Sequence, residues 1–308
     1  MSAAVRGHSL TDPRALAALR DLLLVARTVV DGLMLGVHTS HRAGAGLEFS
    51  QFRSYQPGDD LRRVDWKLYA RSDRFFIRES EAETSMAVRL VVDATGSMAQ
   101  TTAAGVTTLD YARYVAAALA LLAQRQGDAL GLFTVSDASL QVLQPRREHQ
   151  QLHRGLHALE RLEPAGGWPE WSRVEGAIAA DPHRGIVVLV SDLHERTDEV
   201  QRAAQRLAAN RHEVVVLHLE NPDELEFPWR GSVTFEEMET GRRVELDAGA
   251  ARERYLAHRA DSARELQRAL EERRIDYHRI RTDEPLDSAL RRVLHSRATG
   301  PGHAGAGA

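Results

Sequence analysis

The sequence predicts an α/β fold in which a mostly parallel β-sheet is flanked by helices. Short apolar runs rich in β-branched residues have the pattern of buried strands. These runs alternate with longer segments in which apolar residues recur at helical spacing. Such alternation is typical of a parallel sheet with right-handed crossovers. Two of the runs, residues 88–92 and 185–190, are each followed within two residues by an aspartate.

Composition narrows the class of protein. The chain has 308 residues, enough for one large domain or two ordinary ones. Its 40 Lys+Arg nearly balance its 44 Asp+Glu, so no global field favours nucleic acid or an anionic membrane. The absence of cysteine excludes disulfides, thiolate metal sites and a cysteine nucleophile. No secretory signal or apolar run of ~20 residues is present, so we expect a cytoplasmic protein without membrane insertion.

The N-terminal region, residues 1–84, is predicted to hold one helix and an unusual polar segment. Asp12 and Pro13 have the pattern of a helix start, and Gly36 is predicted to end this helix. Residues 48–55 alternate like a strand, and beyond them arginines are interleaved with acids and aromatic residues. Two interpretations stay open for this segment: a salt-bridged surface, or bidentate Arg–Asp pairs that clamp it to the main domain. Nucleic-acid binding is disfavoured because acids sit among the arginines.

The main domain is predicted over residues 85–296. Its predicted strands are 88–92, 129–135, 140–143, 185–191, 213–219 and 275–280, and the pair 129–135 and 140–143 forms a hairpin. Its predicted helices are 108–126, 149–162, 171–180, 197–210, 252–274 and 287–295. A second hairpin is predicted around residues 239–241. The Gly/Ala-rich tail, residues 297–308, is predicted to be disordered.

Oxygen-bearing side chains follow both aspartate-ended runs. Asp93, Thr95 and Ser97 come after the first run, and Asp192 comes after the later one. Neighbouring parallel strands end at the same edge of a sheet, ~4.8 Å apart, so these side chains are expected to meet. Carboxylates and hydroxyls are hard ligands that suit an octahedral Mg²⁺ with several bound waters. The alternative is that they only cap the following helices.

The Asp93-x-Thr95-x-Ser97 pattern resembles the Asp-x-Ser-x-Ser motif of von Willebrand factor A domains. In those domains the motif forms a metal-ion-dependent adhesion site that binds Mg²⁺. The resemblance implies a von Willebrand factor A-like, Rossmann-like sheet, with Asp192 on the strand that supplies the second aspartate of the site. Thr95 replaces the usual first serine and keeps its hydroxyl.

The third loop of that adhesion site departs from the family pattern. The pattern there is Gly-Gly-Thr, with the threonine as ligand, whereas Gly166-Gly167 is followed by Trp168. Ser172 is the nearest downstream hydroxyl. The resemblance therefore implies a Mg²⁺ site with one ligand missing.

A longer signature upstream resembles the bacterial family called domain of unknown function 58. The residues that carry it are Arg53, Tyr55, Gly58, Asp59, Asp60, Arg62, Asp65, Trp66 and Arg71. Members of that family resemble accessory proteins of MoxR-type AAA+ ATPases, which act in assembling or maturing other protein complexes. The resemblance implies a non-enzymatic interaction module whose protein partner is such an ATPase. The chain has no Gly-x-x-x-x-Gly-Lys-[Ser/Thr] loop of its own.

Two alternatives to the interaction module stay open. One is a Mg²⁺-dependent phosphohydrolase, because Asp93-Ala-Thr95 is similar to the nucleophile strand of haloacid-dehalogenase-type phosphatases. That chemistry needs a second aspartate where Thr95 stands, and a lysine to hold the phosphate in a chain very poor in lysine. The other is a scaffold with a degenerate metal site.

Overall fold

The computed structural model describes residues 9–19, 21–40, 52–54, 76–78, 86–102, 105–194, 199–236, 238 and 241–299. The chain divides into two compact units. One consists of Met1–Met34 and Met86–Ala308, and the other is Leu35–Ser85. The helical residues before residue 35 thus group with the larger unit, whereas the division predicted from the sequence keeps residues 1–84 together.

The smaller unit contains a two-stranded antiparallel sheet. Strand β1 (Phe52–Ser54) pairs with β2 (Phe76–Arg78), with Arg53 opposite Ile77. The side chain of Arg53 lies outside the described part of the chain. So do the other signature residues, namely Tyr55, Gly58, Asp59, Asp60, Arg62, Asp65, Trp66 and Arg71. Both interpretations of this segment therefore stay predictions.

The larger unit is built on a six-stranded sheet with the order β10-β7-β6-β3-β4-β5. Its strands are β3 (Ala87–Asp93), β4 (Ala129–Val135), β5 (Leu140–Arg146), β6 (Gly185–Ser191), β7 (Glu213–Glu220) and β10 (Asp276–Arg281). All neighbours are parallel except the edge strand β5, which returns antiparallel to β4. Counted along the chain, this is the 3-2-1-4-5-6 order of doubly wound folds. The predicted α/β class with a mostly parallel sheet is confirmed.

Helices cover both faces of this sheet. They are α1 (Pro13–Ala17), α2 (Leu22–Ser40), α3 (Thr108–Arg125), α4 (His149–Glu160), α5 (Trp171–Ala179), α6 (Glu199–Ala209), α7 (Pro222–Glu226), α8 (Ala248–Glu271) and α9 (Leu286–Thr299). Alternate residues of β3 point to opposite faces, as a strand requires. Leu90 and Val92 pack with α1 to α4 and α9, whereas Val91 packs with α5, α6 and the end of α8. A separate hairpin of β8 (Ser232–Glu236) and β9 (Arg243–Asp247) precedes α8.

Several element boundaries differ from the predictions because local caps act at other residues. The predicted first helix is two helices, since the Asp21 carboxylate accepts hydrogen bonds from the backbone N–H groups of Leu23 and Leu24, at 2.8 and 3.2 Å. Helix α2 continues to Ser40, past the predicted end at Gly36. Helix α8 begins at Ala248 rather than at residue 252, because Asp247 caps it.

The C-terminal end also differs from the prediction. Helix α9 reaches Thr299, so the predicted tail does not begin at residue 297. Residues 300–308 lie outside the described part. Within the described ranges, every helix is too short or too polar to cross a membrane.

Candidate functional site

The centre of the sheet contains a topological switch point between β3 and β6. These two strands are parallel neighbours, and the chain continues from β3 to β4 on one side and from β6 to β7 on the other. In open α/β sheets ligands bind at such a point, beyond the carboxyl ends of the strands. Asp93 ends β3 and Asp192 directly follows β6, so both carboxylates lie there. Asp93 is 3% exposed and Asp192 is 5% exposed.

The four predicted site residues, Asp93, Thr95, Ser97 and Asp192, form one hydrogen-bonded group, which we call the rim. The backbone N–H of Thr95 donates to Asp93 Oδ1 at 2.8 Å. The Ser97 hydroxyl donates to Asp192 Oδ1 at 3.1 Å. The Thr95 and Ser97 hydroxyl oxygens are 3.0 Å apart. The loop that follows β3 therefore links the ends of β3 and β6. The role of the four side chains as metal ligands stays a prediction.

The electrostatics of this group favour a positive charge. Burial, and then the nearby charge of Asp192, raise the pKa of Asp93 to about 7. Burial likewise raises the pKa of Asp192, although His194 opposes the shift. Asp192 Oδ2 is buried and has no hydrogen-bond partner within the described residues. A buried carboxylate oxygen without a donor is costly, so a cation at this position would stabilise both aspartates.

Three residues of the site were not predicted from the sequence. The Ser191 hydroxyl donates to Asp93 Oδ2 at 2.5 Å and accepts from the backbone N–H of Leu193 at 2.9 Å. His194 Nε2 lies 2.9 Å from Glu224 Oε2. Ser191 could have been noticed as the residue between an apolar run and Asp192. The His194–Glu224 contact has no sequence signal, because Glu224 lies on the unpredicted helix α7.

The His194–Glu224 pair places a second charged group beside Asp192. Burial alone would lower the pKa of His194, but the hydrogen bond to Glu224 raises it to about 9. Burial alone would raise the pKa of Glu224, but His194 and Arg259 lower it to about 2. Arg259 Nη1 donates to Glu224 Oε2 at 2.7 Å. The protonated His194 side chain is thus held beside Asp192 by the Glu224 carboxylate, and Arg259 balances the negative charge of that carboxylate.

The loop that carries Trp168 lies against the rim but offers it no side-chain oxygen. The backbone N–H of Gly96 donates to the carbonyl of Gly166 at 2.8 Å, which places this loop beside Thr95 and Ser97. The Trp168 ring stacks on Trp171, with centroids 6.4 Å apart, and packs against the core. An indole has only an N–H donor and cannot ligate a hard cation. Ser172, the nearest downstream hydroxyl, is exposed on α5.

The residues at the rim fit a Mg²⁺ ion that keeps several waters. Two carboxylates and two hydroxyls are hard ligands of the preferred kind, and Mg²⁺ is usually held by one or two carboxylates. Over the described ranges, no cluster of three or more His, Cys, Asp or Glu side chains could hold a metal. A cation at this rim would therefore depend on water, or on an oxygen from another molecule, for the rest of its shell.

Fold and rim together define a doubly wound α/β protein with a carboxylate–hydroxyl site at its switch point. The chain matches the family model described as "Protein of unknown function DUF58" over residues 51–265. It is also 32% identical over 265 residues to the "Uncharacterized protein Rv1480" of Mycobacterium tuberculosis, which covers 82% of this chain and 81% of that protein. The "Uncharacterized protein Mb1516" of Mycobacterium bovis matches to the same extent. The chain belongs to the DUF58 family, as its upstream signature predicts.

Several solved structures are similar to this chain at low sequence identity. The conserved hypothetical protein BatB from Bacteroides thetaiotaomicron is 13% identical with a TM-score of 0.43, covering 70% of this chain and 100% of that one. An aerotolerance-related membrane protein from Bacteroides fragilis is 15% identical with a TM-score of 0.45, covering 69% and 98%. The SpRpn10 VWA domain is 14% identical with a TM-score of 0.41, covering 73% and 100%.

Proposed function

We propose that this chain is a non-enzymatic protein-interaction module that docks a partner at the rim formed by Asp93, Thr95, Ser97 and Asp192. The observation that carries the proposal is the pair of buried carboxylates at the switch point, one of which has an oxygen without a hydrogen-bond partner among the described residues. Two such groups on adjacent strands disfavour each other's ionised form. A cation would relieve this repulsion, and the carboxyl ends of the strands are where open α/β sheets bind ligands.

In this proposal a Mg²⁺ ion links the rim to the partner. The carboxylates of Asp93 and Asp192 and the hydroxyls of Thr95 and Ser97 would hold it, and the ion would supply the positive charge that attracts an acidic group. Because Trp168 provides no oxygen, more of the coordination shell is left for water or for a carboxylate of the partner. The partner's acidic residue then contributes directly to the affinity of the complex.

The partner that we propose is a MoxR-type AAA+ ATPase, with which the module takes part in the assembly or maturation of other proteins in the cytoplasm. Membership of the DUF58 family supports this choice, because members of that family resemble accessory proteins of such ATPases. The phosphohydrolase interpretation gains no support from the rim. Thr95, which stands where a phosphatase needs its general acid, is held by its backbone to Asp93.

The docking proposal is tested by capture of the purified ATPase on immobilised protein in Mg²⁺ buffer. Wild type is expected to retain the ATPase, and the Asp93→Ala and Asp192→Ala variants are expected to lose it. Asp261→Ala is the matched control, because Asp261 is an exposed aspartate on α8 that pairs with Arg264. Equal capture by wild type and both rim variants would contradict the dock.

Calorimetry separates a metal-dependent dock from a scaffold with a degenerate site. Titration of the metal-free protein with Mg²⁺ or Mn²⁺ should give measurable heat and a higher unfolding temperature in wild type but not in Asp93→Ala. No heat and no thermal shift in wild type would favour the scaffold.

A further inference from the structure

A second concave site adjoins the rim and is not used by the proposed metal chemistry. It is a cavity of about 310 Å³, which we call the aromatic pocket. Four rings and a methionine form most of its apolar wall, and Ser97 of the rim lies at its border. The rings are those of Phe227, Trp229, Phe235 and Tyr255, and the methionine is Met238.

The rings of the aromatic pocket pack around Phe227. Its centroid lies 5.1 Å from that of Trp229, at near right angles, 5.8 Å from Phe235 and 4.9 Å from Tyr255. Phe227 is buried and has a φ of +46°, which is strained for a bulky residue. The other three rings are only half-buried, so their free faces line the cavity. Rings fixed in this way present apolar surface with little loss of side-chain entropy when something binds.

The aromatic pocket and the rim form one continuous surface. Met238, between β8 and β9, lies against the loop that follows β3, and a Cβ added at Gly96 would be 2.9 Å from the backbone carbonyl oxygen of Met238. Glycine therefore permits a close approach of the two backbones there. Ser97, the next residue, donates its hydroxyl hydrogen to Asp192 and also borders the pocket. Ser97 and His194 therefore both contact Asp192 and border the pocket.

The charges around the aromatic pocket favour a neutral occupant. Glu224 is already paired with His194 and with Arg259, at 2.9 and 2.7 Å. Glu236 is paired with Arg243 at 2.8 Å. A lysine or arginine would have to compete with these ion pairs, whereas an uncharged side chain would only displace water from the rings. A volume of about 310 Å³ suits one large side chain rather than a longer segment.

We infer that the aromatic pocket takes a large apolar side chain, such as Phe, Leu or Met, from the same partner segment whose acidic residue docks at the rim. This inference rests on the proposed function and extends it, because it names a two-part recognition motif: a carboxylate with a large apolar residue close to it in sequence. The carboxylate gives the metal-dependent part of the affinity, and the apolar residue gives selectivity.

The test uses a set of synthetic, fluorescently labelled peptides, each with one aspartate and one varied residue at a neighbouring position. Binding to the full chain in Mg²⁺ buffer is followed by fluorescence polarisation. Peptides that carry Phe, Leu or Met should bind about tenfold more tightly than the matched Ala peptide, the ratio expected for burying one large apolar side chain. Peptides that carry Lys or Arg should not share this gain.

Variants assign the effect to the aromatic pocket. Phe235→Ala and Trp229→Ala should remove the tenfold ratio while binding stays dependent on the peptide aspartate. Thr234→Ala is the matched control, because it lies on the same strand with its side chain on the opposite face. Thermal unfolding of each variant confirms that the comparison is between folded proteins. A ratio unchanged in both ring variants would overturn the inference.

The outcomes distinguish the pocket from the rim dock. Binding that requires the peptide aspartate but ignores the varied residue would overturn the pocket and leave the dock standing. Binding that follows the apolar residue and is unchanged in Asp93→Asn would support the pocket and contradict the dock. A preference for Lys or Arg, or no binding by any peptide, would overturn the pocket inference.

Discussion

Replacing Asp93 by asparagine tests the electrostatic picture of the rim, because it removes one charge and keeps the shape. The amide oxygen can still accept the hydrogen bond from the Thr95 backbone N–H, and the amide NH₂ can donate to the Ser191 hydroxyl. The contact with Thr95 is therefore retained, and the contact with Ser191 is kept with its donor and acceptor exchanged. What changes is the repulsion between two buried carboxylates, and the ability to hold a cation.

The size and sign of the effect follow from the pKa of Asp93. Burial and the charge of Asp192 raise this pKa from 3.8 to about 7. The shift is about 3 units at about 1.4 kcal/mol each, so ionising Asp93 costs at most about 4 kcal/mol of stability. Below the pKa that Asp93 has in the unfolded chain, the residue is protonated in both states and this cost is absent. The protein loses stability as pH rises from there through about 7, the pKa of Asp93 in the folded state. The two aspartates titrate together, so we expect the variant to gain about 1–3 kcal/mol at pH 8 without metal.

Urea unfolding at pH 8 measures this difference directly. In the presence of a chelator, Asp93→Asn should be more stable than wild type, and the two should converge near pH 4. Saturating Mg²⁺ should stabilise wild type, by about 2.7 kcal/mol at 100 times the dissociation constant, and should leave the variant unchanged. A variant that is less stable than wild type at pH 8 in chelator would contradict repulsion between the two aspartates.

Three further predictions concern the surroundings of the rim. Gly166→Ala should destabilise the protein by about 2 kcal/mol in thermal unfolding, because the residue has a φ of +68° and the new Cβ would displace Asp137 Oδ1, which accepts a hydrogen bond from the Gly167 backbone N–H; Gly105→Ala, with a φ of +77° and no described atom within 4 Å of the new Cβ, should cost only about 1 kcal/mol. Arg89→Met should cost about 1–3 kcal/mol in urea unfolding, because it breaks the 2.6 Å ion pair between the buried Arg89 and the partly exposed Asp181, and a neutral result would contradict that role. Glu224→Gln should lower the pKa of His194 from about 9 towards its ordinary value in an NMR titration. Wild type loses the stability from this pair as pH rises through about 9, and the variant should lose it at lower pH. An unchanged His194 titration would exclude the pairing.

The sheet was predictable from the sequence because its strands are buried on both faces. A strand of this kind must be a short apolar run, and β3, β4, β6 and β7 all have that pattern. The ends of β3 and β6 were predictable for the same reason, since an apolar run that stops at an aspartate marks the edge of the sheet. Helix boundaries were harder to predict, because one capping side chain such as Asp21 decides where a helix starts.

The remaining features of the site depend on contacts between distant parts of the chain. Ser191 is an ordinary strand residue until the fold places its hydroxyl against Asp93. The rings of the aromatic pocket come from the loop after α7, from β8 and from α8, and no local sequence pattern brings these three segments together. The strained backbone of Phe227 also has no local signal, because the residue type does not favour a positive φ. These parts of the site can be identified only from the three-dimensional arrangement of the helices and strands.

The most direct test of a metal-dependent dock is the dissociation constant of the complex with the MoxR-type ATPase, measured by surface plasmon resonance in Mg²⁺ and again in chelator. A metal-dependent dock predicts that chelator weakens wild-type binding by at least about tenfold, or about 1.4 kcal/mol. It also predicts that Asp192→Asn binds equally weakly in both buffers. A wild-type dissociation constant that is the same in Mg²⁺ and in chelator, and the same again in Asp192→Asn, would contradict a metal-dependent dock.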